Sequence, residues 1–234
     1  LSMDTAGGVL ATAGNPLTVI QGRQRGIVKV WDVAKKQPLG EAIQVDGGIG
    51  AIAVNRSREI VLIGLHSGVV HVLNYRALEE IIPDLNHPST ITSLTLNPDG
   101  TMLTVGDGSG YLHAWNLNNG RPRFPAQAHD GEILLTHQAP TSGLITSVSR
   151  HGELQIWNTL TNQHVQHRLQ HSVAEVSLTD DESMLAMAPR YEPYVQVWSI
   201  YQRMSTRRFL AAADHPDFAP PALAADALEV FKKA

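Results

Sequence analysis

The sequence lacks three features that common classes of protein require. It contains no cysteine, which excludes disulfide bonds, thiolate zinc sites and thiol nucleophiles and favours an intracellular location. Basic residues are not in surplus, because 18 Lys and Arg stand against 22 Asp and Glu, whereas a protein that grips the nucleic-acid backbone neutralises its phosphates with Lys and Arg. Apolar runs such as 60–65 are far shorter than the ~20 residues of a bilayer span. We therefore expect no membrane span and no signal peptide, and a location in the cytoplasm or, in a eukaryote, the nucleus.

Sequence motifs of common active sites are lacking as well. There is no Gly-x-Ser-x-Gly elbow, no His-Glu-x-x-His helix and no glycine-rich phosphate loop that leads into a helix. The glycines of 106–110 lie between two predicted strands, where a tight turn explains them better than a phosphate site does. We therefore expect no catalytic residue and no cofactor.

What the sequence does have is an internal repeat. Five segments align without gaps: GIVKVWDV (26–33), GVVHVLNY (68–75), GYLHAWNL (110–117), GELQIWNT (152–159) and PYVQVWSI (193–200). Their anchor positions, separated by 42, 42, 42 and 41 residues, are Trp31, Leu73, Trp115, Trp157 and Trp198. Apolar residues one and three positions before each anchor alternate with other residues, and a period of two is typical of a β-strand. A repeat of this length indicates a propeller or another repeat architecture.

Each repeat contains three further predicted strands. Two short apolar runs precede the anchor strand, and a polar turn such as 118–120 follows it and leads to a fourth strand. The sequence Asn97-Pro98-Asp99-Gly100 has the residues of a tight turn between the first two strands. The repeats therefore predict five four-stranded antiparallel units with the bounds 1–45, 46–86, 87–128, 129–170 and 171–210. Such sheets are too small to bury both faces alone, so copies must stack.

These repeats resemble the WD40 β-propeller family. The resemblance covers residues 1 to about 210 and rests on the period, on the Asn-Pro-Asp-Gly turn and on the pairs Trp31-Asp32, Trp115-Asn116 and Trp157-Asn158. It implies an all-β propeller that acts as a non-enzymatic scaffold or sensor, a complex subunit whose loop rim binds a protein or peptide. A propeller enzyme with a site in the central channel, and a nucleic-acid or chromatin-associated reader, remain as alternatives.

One departure from the family concerns a polar network. In the family an Asp six residues before the Trp often holds a His at the start of the blade. The positions of that Asp are occupied here by Arg25, Ser67, Ser109, His151 and Glu192. We therefore expect the blades to depend on packing more than on this network.

The number of repeats raises the question of closure. Five blades lie within the range that propellers use, but the resemblance implies seven as the usual number, more than 234 residues can supply. We expect an open arc of a larger ring, completed by further residues of the same polypeptide or by a partner chain. A self-closed ring of five blades is the alternative.

The expected binding surface is the rim formed by two sets of loops. Loops between the second and third strands and loops between blades lie at the same end of an up-and-down propeller. The candidate residues in these loops are Arg23, Arg25, Asp46, His66, His87, Asp107, His129, Asp130, Arg150, His151, His171, Arg190 and Tyr191. Arg23 and Arg25 belong to an insertion of the first repeat, at about 15–26, and could clamp a carboxylate or phosphate of a partner.

Three of these candidates are histidines at equivalent positions, which raises the possibility of a metal site. His87, His129 and His171 recur at intervals of 42 residues, so they belong to successive sheets. Packed sheets lie about 10 Å apart, whereas the nitrogen ligands of zinc lie about 2.0–2.1 Å from the ion. We therefore expect these histidines to satisfy backbone groups and expect no metal.

The last 24 residues, 211–234, differ in composition from the repeats. They contain Pro216 and Pro220-Pro221, and Ala-rich helix formers follow these prolines. The pattern predicts a short amphipathic helix over 222–233, which must pack against something to be stable.

Overall fold

The computed structural model describes residues 1–4, 7–15, 25–139, 143–159, 163–169, 171–179, 184–192, 194–199 and 207–210. Side chains are described for these residues except 163, 198, 199 and 207–210. Arg23, the side chain of Trp198 and the predicted helix at 222–233 lie outside the described part. The described residues form strands, turns and loops, and they include no helix long and apolar enough to cross a membrane.

The chain divides into two units, Leu1–Ala128 and His129–Ala234. The first unit contains three antiparallel sheets. Sheet 1 consists of β1 (Ser2–Met3), β2 (Val9–Gly14), β3 (Arg25–Asp32), β4 (Gln37–Pro38) and β5 (Ile43–Asp46). Sheet 2 consists of β6 (Ile49–Asn55), β7 (Ile60–Leu65), β8 (Val69–Asn74) and β9 (Glu80–Asn86). Sheet 3 consists of β10 (Ile91–Leu96), β11 (Met102–Asp107), β12 (Tyr111–Asn116), β13 (Arg121–Pro122) and β14 (Gln127–Ala128).

The second unit contains two antiparallel sheets of the same design. Sheet 4 consists of β15 (Ile133–Gln138), β16 (Leu144–Ser149), β17 (Glu153–Asn158) and β18 (Gln163–Arg168). Sheet 5 consists of β19 (Val173–Leu178), β20 (Met184–Pro189), β21 (Tyr194–Ser199) and β22 (Arg207–Leu210). The all-β fold with five repeated sheets is therefore as the sequence predicts, and the sheets are consistent with propeller blades. No sheet closes on itself in the described part of the chain.

The fourth strand departs from the prediction in two repeats. In sheet 1 it is divided into β4 and β5, and in sheet 3 into β13 and β14, although both pieces pair with the same third strand. Each interruption follows a proline, Pro38 or Pro122. Proline cannot donate a hydrogen bond to a neighbouring strand and is therefore confined to edge strands such as these.

The cores lie between neighbouring sheets of each unit. Sheets 1 and 2 enclose one apolar cluster that includes Val28 and Val30 from β3 and Val61 and Ile63 from β7. A second cluster fills the space between sheets 2 and 3, and a third lies between sheets 4 and 5. Strand β7 is buried along its whole length because both of its faces are covered. The face-to-face packing of sheets follows from the alternation of apolar residues in the anchor strands.

A β-bulge recurs at the start of four sheets. The pairing of first and second strands shifts by one residue between Ile49 and Ala51, and the shift is repeated at the equivalent positions of sheets 3, 4 and 5. Bulges re-aim the residues beside them and are frequent next to functional sites. These bulges lie at the end of each sheet that carries the candidate loops.

Candidate functional site

The candidate loops of each unit are joined by backbone hydrogen bonds. In the first unit the His66 N–H donates to Gly48 O at 2.8 Å, and the Gly108 N–H donates to Thr90 O at 2.8 Å. In the second unit the Val173 N–H donates to Arg150 O and the Arg190 N–H to Ser172 O, both at 2.8 Å. In each case a loop between second and third strands contacts a connection between sheets. The two sets of loops thus lie at one end of their sheets, as expected, and we call this end of each unit the loop rim.

Two glycines allow the loops to approach each other this closely. Gly68 and Gly152 occupy equivalent turns and have φ values of +88° and +85°, a region that residues with a Cβ rarely adopt. A Cβ on Gly152 would lie 2.5 Å from His171 O, and one on Gly68 would collide with His87 O. A side chain at either position would therefore push the turn away from the neighbouring connection between sheets.

The third repeat buries two of the candidate rim residues. His87 is 8% exposed and Asp107 is fully buried. Trp115 Nε1 donates to His87 Nε2 at 3.1 Å, while His113 Nε2 lies 3.4 Å from the Asp107 carboxylate. The Trp115–His87 pair and the His113–Asp107 pair also contact each other. The His87 ring packs edge-on against both the His113 ring and the Trp115 ring. His87 and Asp107 therefore support the third sheet instead of facing a partner.

The protonation states follow from this burial. Burial, and secondarily the neighbouring His113, lowers the pKa of His87 to about 4. Burial alone would raise the pKa of Asp107, but hydrogen bonds from His113 and from the backbone N–H groups of Tyr111 and Ser109 outweigh it, so this pKa is lowered. His87 is thus neutral and Asp107 is charged at neutral pH.

A different polar network replaces the family's pattern in the fourth repeat. Ser149 Oγ donates to Asp130 Oδ1 at 2.9 Å, and the Glu153 carboxylate accepts from the Asp130 N–H at 2.7 Å and from Gln155 Nε2 at 2.6 Å. Gln155 Oε1 in turn accepts from Trp157 Nε1 at 3.1 Å. A chain of hydrogen bonds therefore connects the loop rim to the anchor tryptophan. The sequence predicts that the blades depend on packing more than on the family's network, and the fourth repeat adds to packing a buried network of different composition.

His129 lies beside this network and is buried. Its Nε2 lies 2.9 Å from Ser147 Oγ, whereas its Nδ1 has no hydrogen-bond partner among the described atoms. Burial lowers the pKa of His129, although Glu153 and Asp130 act in the opposite direction. His129 is therefore a buried residue of sheet 4, although the sequence places it among the candidate rim residues.

The exposed candidates of the first unit are largely paired with one another. Arg25 and Asp46 face each other across the β3–β5 pair, with Arg25 Nε 3.5 Å from Asp46 Oδ1. Both side chains are exposed to solvent, so the pair adds little stability. His66 is exposed, and its ring lies over Gly48, where a Cβ would be 2.5 Å from His66 Nδ1. The Asp46 carboxylate offsets part of the positive charge of Arg25. Arg25 is therefore less available to bind a carboxylate or phosphate of a partner.

The second unit presents a more accessible loop rim. Arg150 Nε bonds the Glu132 carboxylate at 2.5 Å, and the exposed His151 has its Nδ1 2.6 Å from Asp130 O. His171 is half-buried, and its Nε2 lies 3.3 Å from the Tyr194 hydroxyl. Arg190 and Tyr191, by contrast, project from the loop between β20 and β21.

Tyr191 is 82% exposed. The Arg190 guanidinium lies over its ring, 5.9 Å from the ring centroid. This distance is within the range of a cation–π contact.

The anchor residues have structural roles. Trp31 Nε1 donates to Thr12 Oγ1 at 3.1 Å, and the Trp157 ring stacks on His164 with centroids 4.1 Å apart. Leu73 packs against the core between sheets 1 and 2, as Trp115 packs against the core between sheets 2 and 3. The side chain of Trp198 lies outside the described part.

The described residues offer little to a catalytic or metal site. They include no group of three or more His, Asp or Glu residues that could hold a metal ion. A cavity of about 370 Å³ in the first unit lies along the first strands of sheets 2 and 3, and the residues around it are Leu1, Ala13, Asn15, Ile49, Gly50, Ala51, Ile52, Thr92, Ser93 and Leu94. None of these is acidic, basic or a histidine, so this cavity contains no acid–base pair.

Comparisons with known proteins concern the fold alone. No protein-family model and no curated protein matches the sequence. A chain in a crystal structure of the mitotic checkpoint complex matches 91% of this chain with a TM-score of 0.68 and 18% sequence identity. This chain spans 64% of the length of that one. The repeated sheets therefore adopt a fold that also occurs in a component of a multiprotein complex.

Proposed function

We propose that this protein is a non-enzymatic WD40-type propeller that serves as a protein-interaction scaffold or sensor module. It binds a protein or peptide through the loop rim. The proposal is supported by the architecture, by the multiprotein setting of the structural neighbour and by the exposed residues of the rim. The observation on which it chiefly depends is the Arg190–Tyr191 pair.

This pair has the properties of an interaction hot spot. Tyrosine and arginine are enriched among residues that dominate binding energy, because a rigid aromatic ring buries a large area with little loss of conformational entropy. The Arg190 N–H donates to Ser172 O, which joins the start of the loop that carries the pair to the connection before β19. Arg150, His151 and Asp130 add polar groups to the same rim.

We further propose that the five blades form an open arc of a larger ring. Positions that are buried between sheets elsewhere are exposed at the two terminal sheets. Met184 and Val195 of sheet 5 are 43% and 38% exposed, whereas the equivalent Leu144 and Leu154 of sheet 4 are 1% and 2% exposed. In sheet 1 the face that carries Lys29 is likewise partly exposed. Further blades, in the same polypeptide or in a partner chain, would cover these faces.

The test of the rim is a comparison of variants in affinity purification. Tyr191→Ala and Arg190→Ala should each reduce the yield of co-purified protein at least tenfold, since loss of a hot spot costs about 2 kcal/mol or more. The matched control is Arg121→Ala, an exposed arginine in the turn region at the opposite end of sheet 3. Equal recovery by the Tyr191 variant and the control variant would contradict the proposal.

A further inference from the structure

A groove lies on the outer flank of the first unit, between the fourth strand of sheet 1 and the face of sheet 2. Its volume is about 620 Å³. The residues around it, which we call the flank groove, are Ala42, Ile43, Gln44, Val45, Asp46, Leu65, Ser67, Val69, His71, Leu73, Leu78, Glu80 and Asp84. Val45 and Leu65 form part of the buried core below, while Leu78 is 42% exposed at the side. The groove thus has an apolar floor and an apolar wall open to solvent.

The sequence explains why the groove is at this place. The anchor position is Trp115 in the third repeat, and that ring packs with Ile82 against the core between sheets 2 and 3. In the second repeat the equivalent residue is Leu73, which borders the groove. The smaller side chain leaves open a space that a tryptophan side chain fills in the next repeat. The interrupted fourth strand of sheet 1 leaves the same region uncovered between 39 and 42.

The charges around the groove are of one sign. Asp46, Glu80 and Asp84 contribute carboxylates, and the lining contains no lysine or arginine. Asp84 Oδ1 lies 2.6 Å from His71 Nδ1, and Asp46 meets Arg25 at 3.5 Å across its outer side. Glu80 is exposed. An anionic ligand such as nucleic acid or an acidic membrane surface would be repelled here, whereas a cationic side chain would be attracted.

We propose that the flank groove binds a short extended segment of a partner protein in which one large apolar side chain lies beside Lys or Arg. The apolar side chain occupies the space next to Leu73, where burial removes it from water. The cationic side chain pairs with Glu80 and Asp84 at the mouth. The flank groove belongs to the first unit, whereas the Arg190–Tyr191 pair belongs to the second.

The test is direct binding of defined peptides. Fluorescein-labelled ten-residue peptides of Gly and Ser, each carrying one Leu, Phe or Trp beside two Arg, are titrated with the full chain and followed by fluorescence anisotropy. We expect saturable binding that weakens with salt, and no binding when both Arg are replaced by Glu. Leu73→Trp, which restores the anchor of the other repeats, should weaken binding at least tenfold. Leu73→Met, which nearly conserves the volume, should weaken binding far less than Leu73→Trp.

Two further sets of surface substitutions test the proposal if Leu73→Trp does not fold. Glu80→Gln combined with Asp84→Asn should weaken binding about fivefold and reduce its salt dependence. Tyr191→Ala should leave peptide binding unchanged, so the groove and the loop rim are tested independently. The proposal is overturned if neither set of groove variants alters binding, or if no peptide binds. It is also overturned if light scattering detects dimers that Leu73→Trp abolishes, since the groove would then accommodate a second copy of the chain.

Discussion

At the scale of single residues, His87 shows how burial sets both structure and pH dependence. Its Nε2 accepts the indole hydrogen of Trp115, and its Nδ1 lies 3.2 Å from Gly68 O. A neutral ring protonated at Nδ1 satisfies both contacts, whereas a doubly protonated ring would lose the acceptor that Trp115 needs. The low pKa of His87 therefore belongs to a structural residue and is no sign of catalysis.

This environment predicts a loss of stability in mild acid. In the unfolded chain the pKa of His87 is about 6.5, while in the folded protein it is about 4. The contribution of His87 is therefore complete above pH 6.5 and falls as the pH is lowered towards 4, because only the unfolded state binds the proton. Thermal melting at pH 7, 5.5 and 4.5 should show a shallower pH dependence for His87→Gln than for the parent chain. Parallel pH profiles for the two proteins would contradict this assignment.

Some residue-scale features could not be predicted from the sequence. The sequence identified Asp107 and His87 as loop residues, but burial depends on where the neighbouring sheet lies, which no local pattern shows. The network of the fourth repeat was not predicted, because the family's pattern has its aspartate six residues before the tryptophan, where this repeat has His151. A signal was present: Glu153 and Gln155 are polar residues on the same side of a strand as Trp157, and such residues are paired when they are buried.

At the scale of elements, the turns before the third strands depend on glycine. Gly152→Ala should destabilise the chain by more than about 2 kcal/mol, since a left-handed backbone costs about 1–2 kcal/mol for a residue with a Cβ and the new methyl group would also meet His171 O. The matched control is Gly120→Ala, where φ is +65° but the nearest atom lies 4.0 Å away. In urea unfolding, the midpoint of Gly152→Ala should lie well below that of the control. Equal midpoints would contradict the predicted clash between the new methyl group and His171 O.

Most strands could be predicted because the same apolar pattern recurs in each of the five repeats. All five anchor residues lie in the third strands of their sheets, β3, β8, β12, β17 and β21, as their spacing predicts. The divided fourth strands and the repeated bulge were not predicted. Both depend on local pairing at strand edges, and the alternation of apolar residues that identifies a strand contains no information about such irregularities.

At the scale of the whole molecule, the exposed faces of the terminal sheets predict association of the isolated chain. Apolar faces without a covering sheet favour pairing or aggregation. Size-exclusion chromatography with light scattering should therefore detect oligomers, and Met184→Lys combined with Val195→Lys should reduce them. A monodisperse monomer that unfolds cooperatively would favour the self-closed ring of five blades.

The central claim is that the loop rim is the surface at which this scaffold binds a protein partner. The most direct measurement is site-specific photo-crosslinking in the native cell, with p-benzoylphenylalanine at position 191 in one sample and at position 33 in another. Val33 is an exposed turn residue at the opposite end of sheet 1. Cross-linking of a protein from position 191, and of none from position 33, is the predicted result. Cross-linking from position 33 alone, or equal capture from both positions, would contradict the claim.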